Sequence, residues 1–174
     1  MQLSDVEQTF ILHWGEMGSR WGINRTMAQI HALLYLSDKP LHAEAIQETL
    51  QVARSNVSTC LRELQAWGIV KPQHVLGDRR DHFVSLTDVW EMFRIITRER
   101  KRREIDPTRD TIAQCLSQLS DEPHHAYTRE RLTNMHEFIT AMSSWHDEVD
   151  RLPAPMLKRF LAWGSRIGNW LSRR

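Results

Sequence analysis

Two clusters of polar and cationic side chains, residues 54–62 and 77–80, are the groups in this chain whose types and spacing could do chemistry. In the first, Arg54, Ser55, Asn56, Ser58, Thr59 and Arg62 fall opposite Val57, Leu61 and Leu64 at helical spacing. Arg and Asn make bidentate hydrogen bonds to guanine and adenine edges, and Ser and Thr serve bases or phosphates. A short helix so divided can rest on a core and enter a major groove at once. In the second, Gly77 and Asp78 turn the chain and place Arg79 and Arg80 at a hairpin tip. A narrow A·T-rich minor groove attracts an inserted arginine. Asp78 repels phosphate, so its expected role is to orient a neighbouring arginine through a charge-assisted hydrogen bond. Each cluster alone has an ordinary explanation, a solvated helix face or a charged turn. Joined through Gly68 and one strand, they form a unit that reads one groove and grips the backbone beside it.

The elements that must hold these residues read mostly as helix. Ser4 and Glu7 form a capping-box pattern ahead of Val6, Phe10, Trp14 and Met17, which repeat every three to four residues to about residue 20. After Gly22 a second helix is predicted over Arg25–Leu36 and a third over Ala43–Leu50. Gln51-Val52-Ala53 turns into the reading helix, Arg54–Trp67, which Gly68 stops. Strands over Ile69–Leu76 and Asp81–Leu86 make the hairpin. Thr87 is the expected cap of a helix from Asp88 to about Glu104, and Asp106-Pro107 the expected restart of another. A long helix follows from about His125 to Arg151, with Leu132, Met135, Phe138, Ile139 and Met142 as its apolar residues. A last amphipathic helix is predicted over Met156–Leu171, with Leu157, Phe160, Leu161, Ile167 and Leu171.

The segment Gly77–Thr87, GDRRDHFVSLT, resembles the wing signature of MarR-type winged helix-turn-helix regulators, matching at Asp78, Arg79, Arg80, Val84, Leu86 and Thr87. Residues 21–36, 54–70 and 74–83 are similar, more narrowly, to the GbsR-like branch. The resemblance covers about residues 10–110. It implies a homodimeric bacterial transcription regulator, usually a repressor, released by a small ligand or signal. By position it implies that Arg54, Ser55, Asn56, Ser58, Thr59 and Arg62 face the major groove. Arg79, oriented by Asp78, would enter the minor groove, with Arg80 near phosphate. Two positions depart from the pattern. Gln51 replaces the usual turn glycine, and Ala53 the usual capping serine.

Net charge is +1, but residues 52–104 hold 11 Lys/Arg against 7 Asp/Glu while the rest hold 12 against 15, so positive charge gathers around the reading unit. The chain has seven tryptophans. An aromatic cage for a quaternary ammonium ligand, built on Trp21 and Trp90, competes with the simpler reading of packing at helix junctions. The branch's choline-responsive members are what suggest the cage. Cys60 lies on the apolar face of the reading helix and reads as a small buried hydrophobe rather than a redox sensor. Two cysteines make no disulfide framework, and the nine histidines lack the Cys/His spacing of a zinc site. The run RERKRRE, residues 98–104, reads as a solvated helix end more than a phosphate contact. There is no run of about 18 apolar residues and no leader-like N-terminus, which predicts a soluble cytoplasmic protein without membrane attachment.

The expectation is a mainly α fold, a winged helix-turn-helix with a two-stranded β-wing. Terminal helices would form a dimerisation layer: 1–24 N-terminal, 25–104 DNA-binding with the wing at 69–86, 105–174 C-terminal. Dimer contacts are expected from Phe10, Trp14, Phe160, Leu161, Ile167 and Leu171. The expected partners are double-stranded DNA, a second copy and a small-molecule effector. No nucleophile–base pair, phosphate loop or metal site suggests an enzyme, and no cofactor is expected. The alternative is a winged helix used as a protein-interaction module without specific DNA binding.

Overall fold

Ser4 begins the first helix. Its hydroxyl accepts the Glu7 N–H at 3.3 Å while the Glu7 carboxylate accepts the Ser4 N–H at 2.7 Å, and α1 runs over Asp5–Arg20. The computed structural model describes residues 2–120, 122–153, 155–157 and 159. Asn24 accepts the Met27 N–H and opens α2, Arg25–Leu36. A two-residue strand β1, Leu41–His42, precedes α3, Ala43–Leu50, and the reading helix α4, Arg54–Trp67. Gly68, in the left-handed conformation that only glycine adopts without penalty, ends α4 and turns the chain into β2, Val70–Gln73. Strand β3, His82–Ser85, pairs antiparallel with both β1 and β2, so the sheet order is β1-β3-β2. The fold is therefore mainly helical with a small antiparallel sheet, as a winged helix requires. The third strand is an addition, since two residues carry no periodicity to read.

The chain forms two compact units, Met1–Ile95 and Ile96–Arg174. The first has a core of Ile30, Leu33, Ile46, Val57, Leu61, Leu64, Ile69 and Val70, all nearly inaccessible. Within it α1 approaches α2 closely at Gly18, where an added Cβ would lie 2.6 Å from the Ala28 Cβ. Helix α5, Val89–Arg100, crosses the division. Its first turn is capped by Asp88, whose Oδ1 accepts the Trp90 and Glu91 N–H groups at 2.8 and 3.3 Å. That corrects the expected cap at Thr87. A carboxylate at this place also suits the positive end of the helix dipole.

In the second unit Asp106-Pro107 does not restart a helix. Helicity continues through a widened π turn, Lys101–Ile105, into α6, Asp106–Gln118, and Asp106 itself is helical. Pro107 has no N–H to give to the turn before it. The backbone adapts instead: the Asp106 N–H reaches back five residues to the Lys101 carbonyl, and the Thr108 hydroxyl donates to Glu104 O at 2.6 Å. The Asp106 carboxylate accepts from Lys101 Nζ at 3.1 Å rather than capping. A single 3₁₀ turn, Pro123–His125, leads into α7, Ala126–Asp150, which packs on α6. The start of the expected last helix, Met156 and Leu157, is helical, while Phe160, Leu161, Ile167 and Leu171 lie outside the described residues. No described helix is long and apolar enough to cross a membrane.

Candidate nucleic-acid interface

Helix α4 is divided as its spacing predicts. Val57, Cys60, Leu61 and Leu64 are buried, while Arg54, Ser55, Asn56, Ser58, Thr59 and Arg62 are all exposed. The turn ahead of it has the two departures that the sequence marks. Gln51 adopts φ 52°, ψ 46°, the left-handed region, and is the one non-glycine among the described residues to do so. Ala53 has the extended backbone of an N-cap but offers no side-chain acceptor. Helix α3 is capped instead by His42, whose Nδ1 accepts the Ala45 N–H at 3.2 Å.

The wing is shorter in the sheet and wider at the tip than the sequence suggests. The tight turn is Val75–Asp78, closed by the Asp78 N–H on Val75 O at 3.1 Å, with Gly77 at φ 85° in its third position. That is a type II arrangement, which needs positive φ there. Leu76 is fully exposed at the tip, so no cross-strand packing extends the ladder that far.

Asp78 does orient an arginine, but it is Arg80 and not Arg79. Both carboxylate oxygens accept the Arg80 Nε, at 2.9 and 3.0 Å, and Oδ1 also accepts the Arg80 backbone N–H at 3.0 Å. Arg79 stays exposed with no anionic partner among the described residues. Hydrogen bonds from the Arg80 side chain and then its backbone hold the Asp78 carboxyl well below the usual carboxylate range.

Three residues that the sequence gave no reason to single out join this site. Glu44 of α3 pairs with Arg54 at 3.3 Å and meets His42 Nδ1 at 3.1 Å. Its carboxyl is held below its ordinary value, first by its own backbone N–H and also by the Arg54 guanidinium, against the opposing effect of burial. His42 faces His82 across β1 and β3. Nothing local could have flagged this pair, because β1 is too short to be recognised. Between α4 and the wing lies an open cleft of about 480 Å³ lined by Glu44, Arg54, Arg62, Arg79, Arg80 and Asp81. Four cations against two carboxylates make it a surface suited to a polyanion.

The remaining candidates fall elsewhere. Trp21, at the end of α1, is half exposed, and Trp90 is half-buried in the first turn of α5. Phe10 and Trp14 stack on one another along α1 at 5.5 Å. The Cys60 thiol lies 4.0 Å from Asn24 Oδ1, and burial raises its pKa, which disfavours the reactive thiolate. The basic run is neutralised within the second unit: Arg98 pairs with Asp150, Arg100 with Glu104, Arg102 with Glu99, and Lys101 with Asp106 and Asp147.

No protein of curated function matches the chain. Among solved structures, a protein described as a transcriptional regulator is 22% identical, with a TM-score of 0.67 over 83% of this chain and 95% of that one. MepR of S. aureus in complex with DNA is 16% identical, with a TM-score of 0.37 over 79% and 92%. MepR described as a regulator of the multidrug efflux pump MepA is 18% identical, with a TM-score of 0.38 over 79% and 93%. Residues 21–81, which run from α2 to the wing tip and hold α4 and the wing arginines, match the MarR family.

Proposed function

We propose that this chain is a transcriptional regulator that binds double-stranded DNA as a homodimer, with α4 in the major groove and Arg79 of the wing in the adjacent minor groove. The observation that carries the reading is the division of α4: six hydrogen-bonding side chains are exposed on one face, beside an open cleft that the wing arginines line. The match of residues 21–81 to the MarR family supports it. So does the stripe of Met135, Phe138, Met142 and Trp145, exposed along α7 at spacings of three and four. That is the seam by which one helix packs on another, and a second copy of the chain would cover it.

A dimer presents two reading helices to half-sites about 10 bp apart, so a pseudo-palindromic operator follows. The regulator would repress by occupancy, and an effector, for which Trp21 and Trp90 are the candidate contacts, would release it by changing the spacing of the two heads. The reading assigns no catalytic reaction to the chain, and the GbsR-like branch is its narrower family placement.

Selection of bound fragments from random duplexes tests the proposal, with a gapped palindrome as the expected product. On that duplex Arg79→Ala should weaken binding by about 1–3 kcal/mol and lower the salt slope by about one counterion. Enrichment of no sequence, together with binding at the nonspecific level, would refute the regulator reading in favour of a protein-interaction module.

A further inference from the structure

The register of β1 on β3 sets His42 opposite His82, with the two rings 5.4 Å apart and perpendicular. Each histidine touches a carboxylate that holds a reading arginine: His42–Glu44–Arg54 on one side, His82–Asp78–Arg80 on the other. The two histidines have different demands. The His82 side chain is 7% exposed, with Nδ1 3.0 Å from Arg80 O and Nε2 3.5 Å from Asp78 Oδ2. Both neighbours are acceptors. A neutral imidazole has one N–H and can satisfy only one of them, whereas an imidazolium satisfies both. His42 Nδ1 meets a donor, the Ala45 N–H, as well as the Glu44 carboxylate, and the neutral ring is the form that caps α3.

The charged groups around the pair are Glu44 from α3, Arg54 from α4, and Asp78 and Arg80 from the wing, with Asp81 adjacent in the chain. Two imidazolium rings in edge contact would repel. His82, between two acceptors, is therefore the ring with a use for a second N–H, and while Arg80 supplies the Asp78 carboxylate with donors that use is not called on.

Arg80 cannot serve Asp78 and a DNA phosphate with the same donors. When it turns to phosphate, the Asp78 carboxylate is left without its cation beside a polyanion. Among the described residues, His82 is the other side chain beside that carboxylate that can become a cation. We infer that His82 is a positioning residue that takes over Asp78 in its imidazolium form when Arg80 leaves for phosphate, so that duplex binding takes up one proton. The proton comes from solvent onto Nε2 of His82, and no covalent bond changes. The inference rests on the DNA-binding reading and adds a linkage to it: affinity falls as pH rises, because the neutral ring cannot replace Arg80.

The test is fluorescence anisotropy of the full chain with the duplex enriched by selection, at fixed salt, between about pH 6 and 8, where histidine changes charge. Wild type should lose up to about tenfold in affinity per pH unit, the slope of one linked proton. His82→Gln and Asp78→Asn should each flatten that slope. His74→Gln, which removes an exposed histidine of the same wing, should leave it unchanged. If His82→Gln disturbs the wing, Asp78→Asn still decides, since His82 then remains in place. The histidine ¹⁵N resonances provide a second readout, moving from neutral to charged at His82 when duplex is added at neutral pH. A slope that survives both substitutions in folded protein overturns the inference. So does wild-type binding that is independent of pH. Absence of any duplex binding overturns the DNA-binding reading itself, and this inference with it.

Discussion

The turn between α3 and α4 is the place where two substitutions should stabilise the protein together. Gln51 sits at φ 52° with a side chain that crowds its own backbone, at a cost of roughly 1–2 kcal/mol for an L-residue other than glycine. Gln51→Gly removes that strain, although a glycine enlarges the unfolded ensemble by about 0.4–1 kcal/mol. The net gain expected is about 0.5–1 kcal/mol. Ala53 has φ −65° and ψ 141°, the backbone of an N-cap, and no acceptor for the first-turn N–H groups of α4. Ala53→Ser supplies one, for about 1 kcal/mol. The two sites are two residues apart, so their effects need not add, and the double variant should gain between about 1 and 2 kcal/mol. Urea unfolding followed by far-ultraviolet circular dichroism measures this as a rise in midpoint at unchanged slope. A series at residue 51 tests the cause: stability should run Gly, then Asn, then Gln, with Val lowest, because asparagine tolerates the left-handed region and a β-branched residue does not. A destabilised Gln51→Gly, or Val equal to Gln, would refute the strain argument.

Three further outcomes are expected. Gly18→Ala sets a methyl 2.6 Å from the Ala28 Cβ and should destabilise by about 1–3 kcal/mol by urea unfolding, whereas Gly15→Ala meets only the flexible Gln29 side chain and should be nearly neutral. His31 is buried, and burial lowers its pKa to about 4 from 6.5. The unfolded chain therefore takes up the proton first. The stability given by the neutral ring is complete above about pH 6.5 and is lost as pH falls towards 4, by up to about 3 kcal/mol. His31→Leu should remove that loss, and equal acid sensitivity in wild type and variant would show that another group is responsible. Cys115 is exposed and Cys60 buried, so a thiol reagent should label one cysteine at once and the second only on unfolding.

The helices nearest the site were readable because their ends are written in single residues. Arg25–Leu36, Ala43–Leu50 and Arg54–Trp67 come out at the bounds that periodicity and the Gly22, Pro40 and Gly68 breaks imply. The polar face of α4 was legible for the same reason, a 3.6-residue period with one side apolar. What failed was whatever depends on geometry between residues distant in sequence or on the direction of a turn. Asp78 was identifiable as an orienting carboxylate, but the choice of Arg80 over Arg79 goes with the Arg80 backbone N–H, which the same Asp78 oxygen accepts and which the residue types alone do not fix. Glu44, His42 and His82 come together only because a two-residue strand pairs across forty residues. Asp106-Pro107 has the composition of a helix start, yet a π turn accommodates the proline without a break.

The sheet order has a consequence for solubility. Strands β1 and β2 are the edges, and an edge strand with free donors and acceptors invites a strand from another molecule. Here β1 has two residues and β2 four, and β2 places Lys71 and Pro72 at its middle. A short strand with a charge and a residue that lacks an N–H is a poor template for further pairing. The wing can thus project an arginine-rich tip from the body without two wings zippering together, which keeps it free at the concentrations a cell would need.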